Sequence, residues 1–172
     1  MVGGDEVVTH IAIRRTGPDD VDSITAVHDA AVEGERGRDH YTDAQIDAWA
    51  RLRSVAKLRA QIAERRFFIA ESSRRPVGYA QLDVREAVLR SVYVRPECQR
   101  HGVGRLLAHT ALREARDAGL QRLELDSSLN AVSFYEALGF VSLGCVDHEL
   151  GNCVSMSCVR MARCLDGESG QP

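Results

Sequence analysis

Ser91-Val-Tyr-Val94-Arg-Pro96-Glu-Cys-Gln99-Arg-His-Gly102-Val-Gly104-Arg105-Leu-Leu107 is the stretch whose reading decides the fold. A β-branched, apolar run closes at Pro96, and two glycines follow within eight residues of it. Val103, Leu106, Leu107, Ala111, Ala115 and Ala118 then recur at helical spacing until Gly119 ends the series. The segment therefore reads as strand, tight turn, helix. Gly102 and Gly104 remove side chains where the backbone must turn, which leaves the first N–H groups of the helix open. Those amides, aligned with the helix dipole, form an anion site suited to a pyrophosphate. Arg100 and Arg105 stand ready for charge-assisted contacts to its oxygens. Two other nucleotide-binding patterns fail on residues: the third position of a dinucleotide fingerprint is Leu107, and no Gly-Lys-Ser/Thr follows.

Upstream, 10–14 alternates as a first strand, and Thr16-Gly-Pro18-Asp19-Asp20 opens a helix striped by Val21, Ile24, Val27 and Ala31. His28 lies on this helix and reads as a rim or surface residue. Gly34 and Gly37 break the helix. Thr42-Asp-Ala-Gln45 has the capping-box pattern for a second, which carries Ile46 and Trp49 inward, and Ser54 caps a third. Residues 67–70, 77–82 and 87–94 read as three strands. Downstream come a short strand over 123–125 and a short helix over 131–138. A terminal hairpin flanks Gly151-Asn152. This order predicts an α/β (α+β) fold, a mixed sheet with helices on both faces. One domain over 9–165 is expected, with flexible ends at 1–8 and 166–172.

The composition excludes several classes. A net charge of −3 gives no basic excess for nucleic acid or an anionic membrane. The chain opens without the basic and apolar regions of a signal peptide, and no apolar run approaches membrane-spanning length. Five cysteines form no CxxC pair and have no histidines at zinc spacing. They read as reduced thiols of a cytoplasmic protein, with no metal, and Cys98 beside the glycine turn is the one to watch for reactivity.

Gln99-Arg-His-Gly102-Val-Gly104 resembles the Q/R-x-x-G-x-G/A signature of the GNAT superfamily of acetyltransferases, and it follows a strand ending in hydrophobic-x-Val, Val92-Tyr-Val94. Asn130, Tyr135, Gly139 and Phe140 are similar to the family's second signature, N-x₄-Y-x₃-G-F. The resemblance implies a mostly antiparallel central sheet and acetyl-CoA as co-substrate, without a metal. Val92, Tyr93 and Val94 match the strand end that pairs with pantetheine. Arg100, His101, Gly102, Val103, Gly104 and Arg105 match the pyrophosphate turn. Asn130 matches a contact to pantetheine amides, and Tyr135 the residue near the thioester sulfur that acts as general acid. The Val92 amide is the expected donor to the oxyanion formed when an amine attacks the thioester.

One position departs from the pattern. Some family members place a glutamate on the strand before the glycine turn, but the matching residue here is Val88. The base that deprotonates the amine is therefore open, with Glu86 as the candidate and Asp83 or a water chain beside it. In the family the link between the first helices lines the acceptor site, which makes His40, Tyr41 and Trp49 substrate-side candidates. Glu33 and Glu35 would suit a cationic acceptor. A small-molecule amine is the expected acceptor. Protein amines, or a non-catalytic acyl-CoA sensor, are the alternatives. Similar proteins often form homodimers.

Overall fold

The computed structural model describes residues 10–52 and 54–165; the expected flexible ends at 1–8 and 166–172 lie outside the described residues. Seven strands form one sheet: β1 (Ile11–Arg15), β2 (Arg66–Ser72), β3 (Arg75–Asp83), β4 (Val88–Val94), β5 (Arg122–Ser128), β6 (Val141–Gly151) and β7 (Val154–Cys164). Their spatial order is β1-β2-β3-β4-β5-β7-β6, and every pairing is antiparallel except β4 with β5. The helices are α1 (Val21–Glu33), α2 (Asp43–Ala50), α3 (Val55–Glu64), α4 (Val103–Asp117) and α5 (Val132–Glu136). Among the described residues no helix is long and apolar enough to cross a membrane.

Local chemistry explains where these elements begin. Thr42 Oγ1 accepts from Gln45 N at 3.3 Å while Gln45 Oε1 accepts from Thr42 N at 2.9 Å, the reciprocal box that starts α2. Ser54 Oγ accepts from Lys57 N and starts α3. The β6–β7 turn lies one residue later than the sequence reading put it. Asn152 and Cys153 both have positive φ, 52° and 60°, as a two-residue hairpin turn requires, and Gly151 pairs with Val154 outside it.

The core has two sides. On one face Leu107, Leu112 and Ala115 of α4 pack with Leu123, Leu125 and Met161 of the sheet, all at most 2% exposed. Each such large side chain contributes about 1.5–3 kcal/mol by leaving water. Close approach here depends on Gly78 of β3. A Cβ at that position would lie 2.9 Å from Leu107 Cδ1 and 2.9 Å from the Tyr93 carbonyl oxygen. On the other face α1 and α3 bury Ile24, Val27 and Leu58 against Phe67 and Tyr79, and α2 buries Ile46 beside Leu150 and Met156.

Two irregularities open the sheet at its centre. Gln81 pairs with Ser91, but the next pair is Leu82 with Leu89, so Arg90 is a bulged residue in β4. The β4–β5 register consists of Val88 with Glu124 alone. Beyond that point the two strands part, leaving a split between Leu89–Tyr93 and Asp126–Ser128. β5 itself runs to Ser128, past the expected 123–125, because its ladder with β7 continues from Arg122↔Cys164 to Ser128↔Cys158. A polar end that carries no strand signal of its own is extended by its partner.

Candidate active site

The glycine turn forms the first of three connected cavities. Gly102 caps α4 at φ +82°, a left-handed conformation that favours glycine. Leu106 N donates to the Gly102 carbonyl, and the N–H groups of Val103, Gly104 and Arg105 precede any intrahelical acceptor. They sit at a cavity of about 410 Å³ lined by Val92, Val94, Arg100, Gly102, Gly104 and Arg105. Asn130 also lines it, and Asn130 Oδ1 is buried with no hydrogen-bond partner among the described residues. A ligand with an amide N–H would satisfy that oxygen. A Cβ on Gly104 would come 3.4 Å from Phe134 Cε2 and narrow the channel. Gln99, the first residue of the signature, also lines it, as does Arg38, which no motif singled out. Gln99 Nε2 donates to the Val94 carbonyl at 3.3 Å, so the turn is tied to the strand it leaves.

Three expected co-substrate residues do not line this cavity with their side chains. His101 is exposed, its Nδ1 2.8 Å from the Gln99 carbonyl, and it lines no cavity. Val103, 1% exposed, points its side chain into the core and offers only its amide. Tyr93 projects to the opposite face of β4 from Val92 and Val94, as strand alternation demands.

The second cavity, about 280 Å³, lies in the split and shares Val92 and Ala131 with the first. Tyr135 reaches it, 7% exposed, with its ring against Phe134 and Phe140 at centroid distances of 5.0 and 5.8 Å. Burial, aided by the neighbouring Tyr93, pushes the Tyr135 phenol well above its ordinary pKa. The phenol is therefore protonated at neutral pH. Phe134 forms the wall facing Gly104, so the two rings of α5 separate to the two cavities. Cys158 also lines the split, and burial followed by the charges of Asp126 and Asp147 pushes its thiol up to about 11. A thiol held protonated is a poor nucleophile. Cys98, singled out from the sequence, is 3% exposed in the α4-side core.

A third cavity of about 440 Å³ shares Trp49, Leu52, Arg90, Tyr93 and His148 with the second. Trp49 Nε1 donates to Tyr93 Oη at 3.0 Å, fixing both rings at the junction. His28, read from the sequence as a surface residue, is 2% exposed and lines this cavity. His148 Nε2 lies 2.9 Å from Asp126 Oδ2, and Arg160 holds the same carboxylate at 2.9 and 3.1 Å. The Arg160 guanidinium, with His148 helping against the cost of burial, keeps Asp126 below the usual carboxylate range. An ionised Asp126 accepts from Nε2–H and leaves Nδ1 of His148 as the basic nitrogen. Sequence reading missed this pair because His148 reaches diagonally over β7 to β5, a contact set by register rather than by any motif.

The remaining candidates fall outside the cavities. Glu86 sits exposed on the β3–β4 turn, paired with Arg90, and lines none of the three. The bulge at Arg90 and the turn before it carry Glu86 away from the split, so the expectation of Glu86 as base does not fit its position. His40 is exposed and lines no cavity. Tyr41, 8% exposed, is a brace: its hydroxyl accepts from Leu129 N at 2.8 Å and donates to the Ser157 carbonyl at 3.0 Å. Burial pushes it up to about 12.

No curated protein matches the chain. Among solved structures, the GCN5-related N-acetyltransferase "Aminotransferase, Class-II" from Rhodopseudomonas palustris is 26% identical, with 94% of this chain and 99% of that one covered at a TM-score of 0.83. The PaiA N-acetyltransferase from Thermoplasma acidophilum, in complex with coenzyme A, shares the fold at 21% identity, 91% and 99% coverage and a TM-score of 0.74. So does the phosphinothricin acetyltransferase of Sinorhizobium meliloti, in complex with acetyl-CoA, at 17% identity, 94% and 92% coverage and a TM-score of 0.70. The model of the acetyltransferase (GNAT) domain family matches residues 38–155, well over half of the chain, and the chain belongs to that family.

Proposed function

We propose that this protein is an acetyl-CoA-dependent N-acetyltransferase acting on the primary amine of a small molecule by direct transfer in a ternary complex. The observation that carries the reading is the meeting of three cavities: one runs from the glycine turn to Val92, another from α2 and α3 to Tyr93, and they join at the split beside Tyr135. Two substrates approaching from opposite sides would meet there.

The residues fit acetyl-CoA, which supplies the activated acyl carbonyl. The amides of Val103, Gly104 and Arg105 bind the pyrophosphate, with Arg100 and Arg105 adding charge. Asn130 Oδ1 gains the partner it lacks. The Val92 amide, on the side of β4 that β5 has left, donates to the developing oxyanion. Tyr135 gives its proton to the departing sulfur, and burial keeps the phenol protonated until the thiolate forms. His148 Nδ1, oriented by Asp126, takes the proton that the attacking amine must lose. The protonated Cys158 thiol favours direct attack over an acyl-cysteine route. Cavities of about 440 and 280 Å³ suit a small acceptor rather than a polypeptide lying in an open groove.

Thiol release from acetyl-CoA across an amine panel, with Tyr135→Phe alongside, tests the proposal. Turnover on one class of small amine, lost in the variant while acetyl-CoA still binds, is the expected result. Binding without turnover on any amine would point to a protein acceptor or a sensor, and absence of binding would remove the proposal entirely.

A further inference from the structure

The wall of the third cavity carries a charge pattern that amine transfer alone does not require. Lys57, Arg65 and Arg90 line it, and no Asp or Glu does. Arg65 and Arg90 keep their counter-charges behind the wall: Asp83 Oδ2 lies 2.9 Å from Arg65 Nε and 3.6 Å from Arg90 Nη2, and Glu86 pairs with Arg90. Lys57, in the first turn of α3, has no carboxylate partner among the described residues. Gln81, 3% exposed, lines the same cavity, and its Nε2 is a buried donor with no acceptor among the described residues. Buried donors are rarely left unpaired, because the lost hydrogen bonds to water are not replaced.

An unpaired ammonium and an unpaired buried amide N–H in one cavity ask for the same thing, an oxyanion. We infer that this cavity is a subsite for an anionic group on the acceptor, so that the acetylated amine carries its own carboxylate or phosphonate, as in an amino acid or an aminophosphonate. The inference rests on the acetyltransferase reading above and narrows its substrate class. Geometry gives the acceptor one orientation. The cavity joins the split at Trp49, Tyr93 and His148, so the amine extends toward His148 and the anion stays behind with Lys57 and Gln81. A polyamine would instead set a second ammonium against Lys57. The carboxylates that might have welcomed a cation are engaged elsewhere: Glu33 pairs with Arg36, Glu35 with Arg38, and neither lines this cavity.

Matched probes decide the matter. Wild-type protein is assayed with L-methionine against L-methioninamide, 2-aminoethylphosphonate against ethanolamine, and spermidine. At least one acid is expected to exceed the partner that lacks its anionic group in kcat/KM by about tenfold or more, the scale of one charge-assisted contact. The acid that does so tells carboxylate from phosphonate. Lys57→Glu, an exposed change that leaves the core intact, should collapse that ratio by about tenfold or more. A preference for the partners without the anion or for spermidine, or a ratio unmoved by Lys57→Glu, overturns the inference. If acetyl-CoA binds and none of these amines is acetylated, the acceptor reading has failed separately. Calorimetric titration of N-acetyl-L-methionine and of 2-acetamidoethylphosphonate in the presence of CoA then tests the subsite by itself. Binding of either that Lys57→Glu abolishes retains the subsite, and no binding by either discards it.

Discussion

Tyr135 and Cys158 face one cavity with a hydroxyl and a thiol that are both held protonated, and the first cause in each case is burial. In the proposed mechanism only the phenol passes its proton on. Tyr135→Phe should lower kcat by about 10²–10⁴-fold, the usual worth of a positioned acid, in steady-state assays, with acetyl-CoA affinity retained in titration. His148 makes the complementary prediction. His148→Gln should lower kcat in the same assays, with acetyl-CoA affinity retained. Asp126→Asn should lower kcat/KM by less than His148→Gln does, since it disturbs the orientation of the imidazole and leaves the imidazole in place. Tyr135 was legible in the sequence because it stands at a fixed distance from Asn130 and Gly139. His148 was not, because the carboxylate that orients it lies two strands away.

Elements that start on their own chemistry were the legible ones: the Thr42–Gln45 box and the Ser54 cap are local and need no partner. The length of β5, the bulge at Arg90 and the parting of β4 from β5 depend on register, and the split beside Tyr135 is made of these. Packing between elements gives two predictions. At Gly78→Ala the new Cβ would meet the Tyr93 backbone oxygen, which cannot swing aside as a side chain could. The cost should be about 1–3 kcal/mol in urea unfolding, the range for overpacking. Tyr41 ties the Leu129–Ala131 turn to β7. Tyr41→Phe should cost about 1–3 kcal/mol by leaving a donor and an acceptor unmatched, and it should weaken acetyl-CoA binding through the neighbouring Asn130. Chemical denaturation and calorimetry on the same variant separate the two effects.

For the molecule as a whole, Asp126 links the active site to acid stability. Its carboxyl is held below the usual range by Arg160 and His148, so the folded state binds its proton less readily than the unfolded chain. That contribution is fully present above the unfolded value of about 3.9 and is lost as pH falls through the lower folded value. Asp126→Asn should therefore narrow the stability difference between pH 6 and about pH 3 in thermal melts. Mass action adds a second molecular effect: a ligand at 100 times its Kd stabilises the fold by about 2.7 kcal/mol. The most direct test of the account is calorimetric titration of acetyl-CoA into the intact protein and into Gly104→Val, whose side chain would stand against Phe134 in the first cavity. One-to-one binding, weakened about tenfold or more in a variant that melts normally, is the predicted result. Equal binding by both proteins would move the co-substrate away from the glycine turn, and no binding by either would contradict the account at its centre.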